Sequence, residues 1–163
     1  MSLLQRLNSR KSVSRDKQNP ESEEGFTLIE LMVVVLIIAI LIAIAIPTFL
    51  GARARAQDRA AQSDLRNGLT AEKTVYTDNQ TYSSDTTTAG MKGVEPSLGW
   101  GTTLTVGLSP DTLSVCLSEA SKSGTTFSIL DIGQGTTAGT YYAKVTCPAL
   151  ANGTVPAGFV GSW

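Results

Sequence analysis

The chain begins polar, turns apolar without relief, and then breaks into shorter apolar runs spaced by polar residues. Residues 31–46 hold no polar side chain; as a helix they reach only ~24 Å against a hydrocarbon core of about 30 Å. Counting back through Glu30 to Phe26 extends the reach to ~32 Å, enough to span, with Glu30 near one interface. After Pro47 an alanine-rich stretch reads as helix to about residue 78. It places Ala61, Leu65, Leu69, Val75 and Tyr76 near helical spacing, with Arg59, Asp64, Arg66 and Lys73 mostly elsewhere. One long helix is predicted, membrane-compatible in its first half and amphipathic in its second. Residues 77–101 are rich in Thr, Ser, Asp and Gly and predict a connecting loop. Four strand-like runs follow at 102–108, 112–118, 125–132 and 141–147, with turns at 109–111, 121–124 and 133–139. Leu113, Val115 and Leu117 alternate with polar residues, as do Phe127 and Ile129, and Tyr141, Ala143 and Val145. Short connections predict an antiparallel meander that buries one face, carrying those residues, against the amphipathic half of the helix. The expected fold class is therefore α+β: a long N-terminal helix packed on a four-stranded antiparallel sheet.

Charge and composition narrow the chemistry. At 163 residues with a net charge of −1, the chain accommodates one head and an extension, and argues against nucleic acid as its main partner. Histidine is absent, which removes the commonest general base and metal ligand. Scattered Ser and Thr then form no nucleophile–base pair, so no enzyme, no cofactor and no metal site is predicted. Cys116 and Cys147 lack CxxC spacing, which disfavours zinc and thioredoxin-type readings; a single disulfide in an exported head is preferred to two buried thiols. The run "GQGTTA" at 133–138 fits a dinucleotide fingerprint in letters only, because a strand-like stretch follows it where a helix is required. Arg53, Arg55 and Arg59 read as a solvated or headgroup-facing helix surface, since no aromatic stripe accompanies them as a nucleic-acid site would need. Asn79-Gln80-Thr81 and Asn152-Gly153-Thr154 match a glycosylation pattern short enough to arise by chance.

Glu30 is the anomaly of the apolar segment. A charge at the bilayer centre costs about 2.5–3.5 kcal/mol and less near the edge, so the carboxylate either snorkels or has a partner. Orientation stays open, because Arg10, Lys11, Arg15 and Lys17 precede the run and Arg53, Arg55, Arg59 and Arg66 follow it. Three fates compete: a secretory signal, a permanent anchor, or a segment cut before the apolar run and retained. The small residues Ala43 and Ala45 offer A-x-A spacing, but inside the apolar block with no polar region ahead of them, which disfavours the secretory signal.

The stretch "GFTLIELMVVVLIIAILIAIAIPTF", residues 25–49, resembles the class III signal and N-terminal helix of type IV pilins and of the pseudopilins of type II secretion and competence systems. It combines Gly25, Phe26, the order Thr27-Leu28-Ile29-Glu30, a long apolar run and Pro47. The resemblance implies a leader at 1–25 removed by a prepilin peptidase, with cleavage between Gly25 and Phe26 and N-methylation of Phe26. It implies a transmembrane and filament-core helix at 26–50, an amphipathic half at 51–78, and a head at 79–163 made of an αβ-loop and an antiparallel sheet. It further implies that Glu30 pairs with the Phe26 amine of a neighbouring subunit in a helical homopolymer. A buried pair of that kind offsets two desolvation costs and fixes register between smooth apolar helices. The implied partners are other copies of the chain, the peptidase, an assembly platform with minor pilins, and the cytoplasmic membrane before export to an extracellular pilus. A pseudopilin, or a monomeric membrane-anchored binding module, are the alternatives. The leader is long and polar, and Glu23 and Glu24 stand where many relatives carry a basic residue. Pro47 removes a backbone hydrogen bond and Gly51 weakens the helix further. A kink or melted turn is expected there, either as a passive bend at the membrane exit or as a stretch that unwinds on assembly. The implied disulfide joins the second strand to the end of the fourth.

Overall fold

A computed structural model describes residues 25–163; the predicted leader, apart from Gly25, lies outside them. The elements in order are α1 (Leu28–Asn79), α2 (Met91–Val94), β1 (Leu104–Leu108), β2 (Ser114–Ala120), β3 (Thr126–Ile132) and β4 (Gly139–Ala143). Two compact units divide the chain, Met1–Ala43 and Ile44–Trp163, and α1 contributes to both. In the first unit, the described part of the chain is the opening of α1, and its side chains are exposed throughout. α1 continues as helix through Pro47 and Gly51, and Thr48 donates its hydroxyl to the Ile44 carbonyl at 3.1 Å.

In the second unit the amphipathic face of α1 meets the sheet. Ala61, Leu65 and Leu69, spaced four apart, are buried as their periodicity predicts, and Val75 and Tyr76 pack at the edge of the same cluster. Gly68 marks the closest approach: a Cβ there would lie 3.1 Å from a methyl of Leu104 and 3.1 Å from one of Leu117, so the absent side chain lets helix and sheet close together. The sheet runs β1-β2-β3-β4, all antiparallel, as the short connections require. β2 starts later than expected because Thr112, at φ 56°, closes the preceding turn with its amide on the Ser109 carbonyl, 2.9 Å.

Two features differ from the expectation. Tyr141 and Ala143 do not face α1: opposite Leu130 and Ser128 in the register, they share the far side of the sheet with Leu130, and Tyr142 takes the helix side. Three consecutive residues with apolar surface leave the facing of β4 undetermined by alternation alone, and its pairing with β3 decides it. Val145 lies beyond β4 and is 49% exposed. The central strands β2 and β3 are also buried on both faces, not one. Cys116, Leu130, Ile132 and Ala143 form a second core with Leu150 and Phe159, which come from the irregular C-terminal stretch. That stretch runs back beside β4, where Tyr142 and Val160 exchange backbone hydrogen bonds of 2.7 and 2.9 Å.

The predicted loop before β1 contains the short α2. Tyr82, Met91, Leu98 and Trp100 are buried from this stretch, single apolar residues with no period for a sequence reading to detect. The Cys116–Cys147 disulfide is formed, with Cα atoms 5.9 Å apart. Cys147 follows β4, so the bond ties the second core to the C-terminal stretch.

Candidate functional site

The first turn of α1 is built by a reciprocal cap. Thr27 precedes the helix, and its amide and hydroxyl both donate to Glu30 Oε2, at 2.8 and 2.7 Å; the Glu30 amide in turn approaches Thr27 Oγ1 at 3.3 Å. This is a capping box, in which a Thr and a Glu three residues on satisfy donors that the helix end leaves free. The carboxylate also sits where the helix dipole favours negative charge. Both donations fall on Oε2, and among the described residues Oε1 accepts no hydrogen bond. The cap gives Thr27 a role that the sequence reading did not assign, although its T-x-x-E spacing ahead of an apolar run is the signal for one.

Around this cap the surface is almost wholly apolar. Phe26 is 89% exposed, and large apolar side chains from Leu28 to Leu50 are exposed on every side of α1. A helix apolar all round is stable only inside lipid or among other chains. Among the described residues, α1 is the helix long and apolar enough to cross a membrane. Gly25 and Phe26 lie just ahead of the cap, and a Cβ added at Gly25 would meet no atom within 4 Å. The structure thus brings Gly25, Phe26, Thr27 and Glu30 into one exposed helix start. It leaves Pro47 and Gly51 inside α1, and Cys116 with Cys147 in the head.

The head carries polar groups of a different kind. Asp131, buried on β3, accepts from Tyr82 and Thr140 hydroxyls at 2.5 Å each and pairs with Lys73 at 3.0 Å. With these donors the network is satisfied and ties α1, β3 and β4 together. Burial, then the hydrogen bond and charge of Asp131, push the Tyr82 phenol well above its ordinary range. Glu72 and Glu119 are the less comfortable carboxyls, each with an oxygen buried without a donor among the described residues. Burial raises each to about 7, and for Glu119 the nearby Asp64 adds to the effect. Neither was singled out by sequence reading. Arg53, Arg55 and Arg59 are exposed, while Asp58 accepts from the Ser123 hydroxyl, which holds its carboxyl below the usual range. Among the described residues no three metal-ligating side chains gather as a metal site.

Comparison with known proteins bears on the first of these regions. Residues 22–46 match the family described as the prokaryotic N-terminal methylation motif. The chain is 44% identical over 65 residues to the type IV major pilin protein PilA of Myxococcus xanthus, covering 40% of this chain and 29% of that protein. It is 34% identical over 62 residues to the type IV wide pilus major component PilA4 of Thermus thermophilus, covering 38% of this chain and 47% of that one. The chain thus spans less than half the length of either relative. No solved structure matches it significantly. The methylation motif is thus seated on the capped start of an apolar helix that packs further along on a four-stranded antiparallel sheet, and over its N-terminal part the chain is similar to type IV major pilins.

Proposed function

We propose that the chain is a structural subunit of a type IV pilus, not an enzyme, and that α1 is both its membrane anchor and its polymerisation surface. The observation that carries this reading is the pairing of one carboxylate, held by Thr27 through a single oxygen, with an apolar helix exposed on all sides. In the membrane those side chains are already in apolar surroundings, so moving them against neighbouring copies gains no hydrophobic free energy. Packing and polar pairing must then drive assembly. Removal of the leader after Gly25 by a prepilin peptidase frees an amine on Phe26, which is methylated and remains cationic. Glu30 Oε1 accepts from that amine on an adjacent copy, and each ion offsets the other's desolvation. The pair sets the axial stagger of otherwise featureless helices. Pro47 and Gly51 form the stretch where α1 loosens as copies pack, and the precursor resides in the cytoplasmic membrane before joining an extracellular filament. An assembly platform and minor pilins complete the set of partners.

The names of the two relatives favour the pilus reading over a pseudopilin. Replacing Glu30 tests it. Glu30→Ala leaves the apolar surface intact and removes the acceptor, so filament yield is expected to fall by tenfold or more while the chain still inserts in the membrane. Wild-type yield from Glu30→Ala contradicts the pairing.

A further inference from the structure

Glu72 lies on the face of α1 that packs into the head and is fully buried. Its Oε2 accepts from the Ser83 amide at 3.2 Å, and its Oε1 has no hydrogen-bond partner among the described residues. Among the described residues its neighbours supply no counter-ion. On α1, Lys73 pairs with Asp131. From the stretch that follows α1, Tyr82 stands beside it with its hydroxyl given to Asp131 of β3, Asp85 accepts from the Thr87 amide, and Glu95 accepts from Ser97. Lys92 is exposed. A buried carboxylate with one hydrogen bond and no cation is strongly disfavoured, whereas the neutral acid is tolerated.

Among the described residues, the Ser83 amide makes the one hydrogen bond from residues 83–90 to α1, while the Asp85 and Thr87 carbonyls accept from the Met91 and Lys92 amides of α2 at 2.8 and 3.1 Å. A groove of about 320 Å³ runs between Val75 and Asn79 of α1 and the stretch carrying Ser83, Asp85 and Gly90; Ser83 lines it, and Glu72 lies behind Ser83, outside the lining. Ser84, Asp85 and residues 87–89 are exposed, and the firm anchors are Tyr82 before them and Met91 after. We propose that Glu72 is a proton-operated clasp for residues 83–90: the neutral acid seats the Ser83 amide on α1, and ionisation draws water along the groove and lifts the stretch between its two anchors. This device does not depend on the polymerisation reading and acts within the unit Ile44–Trp163 alone.

The direction follows from linkage. Burial pushes the seated Glu72 carboxyl up to about 7, and exposure to water on lifting returns it toward 4.5. Seating is therefore strongest below about pH 4.5, weakens as pH rises to about 7, and is constant above that. Between pH 5 and pH 8 the opening constant is expected to rise on the order of 10- to 100-fold.

Hydrogen exchange of the full chain in detergent micelles, corrected for the intrinsic pH dependence of exchange, reads the opening directly. Peptides covering 83–90 should lose protection by that factor from pH 5 to pH 8. Glu72→Gln should abolish the pH response, while Glu119→Gln, distant in the head, should preserve it. In the wild-type chain the Ser83 amide resonance should titrate with a midpoint near 7, a measurement that needs no variant. Protection independent of pH, a Ser83 midpoint at the ordinary carboxyl value, or an unchanged response in Glu72→Gln overturns the proposal.

Discussion

Breaking the Cys116–Cys147 bond isolates how much of the head depends on its second core. The two cysteines are 31 residues apart in sequence, and Cys116 is fully buried in β2. Closing a loop of that length restricts the unfolded chain by about 3–4 kcal/mol in the entropic account. The enclosed loop contains β3 and β4, and the bond pins the start of the C-terminal stretch that delivers Leu150 and Phe159 to the core. Reduction should thus lower the stability of the head by about 3–4 kcal/mol. Replacing both cysteines by Ala should cost about 1 kcal/mol more, because the buried sulfurs are lost from a packed site. Urea unfolding of the full chain in micelles measures this through Trp100, buried, and Trp163, half-buried. The urea slope should also increase, since an uncrosslinked unfolded chain exposes more surface. Hydrogen exchange should localise the first loss of protection to residues 144–163. A loss below about 1 kcal/mol would refute the loop-closure reasoning, as would free thiols in exported protein.

Trp163 should matter more than its terminal position suggests. Its ring meets Tyr142 at 4.6 Å and Phe127 at 6.0 Å between centroids, and its indole N–H donates to the Ser128 and Ala143 carbonyls at 3.2 and 3.1 Å. Trp163→Ala is expected to cost about 2–4 kcal/mol by urea unfolding. Arg66, 4.8 Å over the same ring, should contribute about 0.5–1 kcal/mol, and the two losses should combine less than additively in a double-mutant cycle. Glu119 gives a pH prediction: burial, aided by Asp64, raises its folded-state carboxyl to about 7 above an ordinary 4.5. Its contribution is greatest below about pH 4.5 and declines as pH rises to about 7, so Glu119→Gln should flatten that part of the stability profile measured by thermal unfolding.

How much of this was readable in the sequence depends on periodicity. Ala61, Leu65 and Leu69 announce the buried face of α1 because helical spacing puts them on one side, and β2 and β3 announce their helix-facing side by apolar residues at every second position, Val115 with Leu117 and Phe127 with Ile129. The N-terminal motif was legible for a different reason: a carboxylate in an apolar run is costly enough to require an explanation. What escaped notice has no period. Leu150 and Phe159 are isolated in a Gly- and Pro-bearing tail, yet they complete the second core on Cys116, Leu130, Ile132 and Ala143. Met91 and Trp100 anchor a stretch whose composition reads as loop. Glu72 occupies a helix position that composition assigns to solvent, and only the arrival of Ser83 from the next segment reveals that it is buried. At the candidate site itself, residues 25–30 were identified from their order, but the Thr27 cap that holds Glu30 through one oxygen came from geometry.

The central claim is that the chain is cut ahead of Phe26 and that α1 becomes the core of a filament. Surface filaments sheared from cells and purified, with the N-terminus of their subunit determined by mass spectrometry, test it most directly. The account predicts filaments built of this chain beginning at N-methylated Phe26. Filaments whose subunit keeps residues 1–25, or a processed chain that never enters a filament, would contradict it.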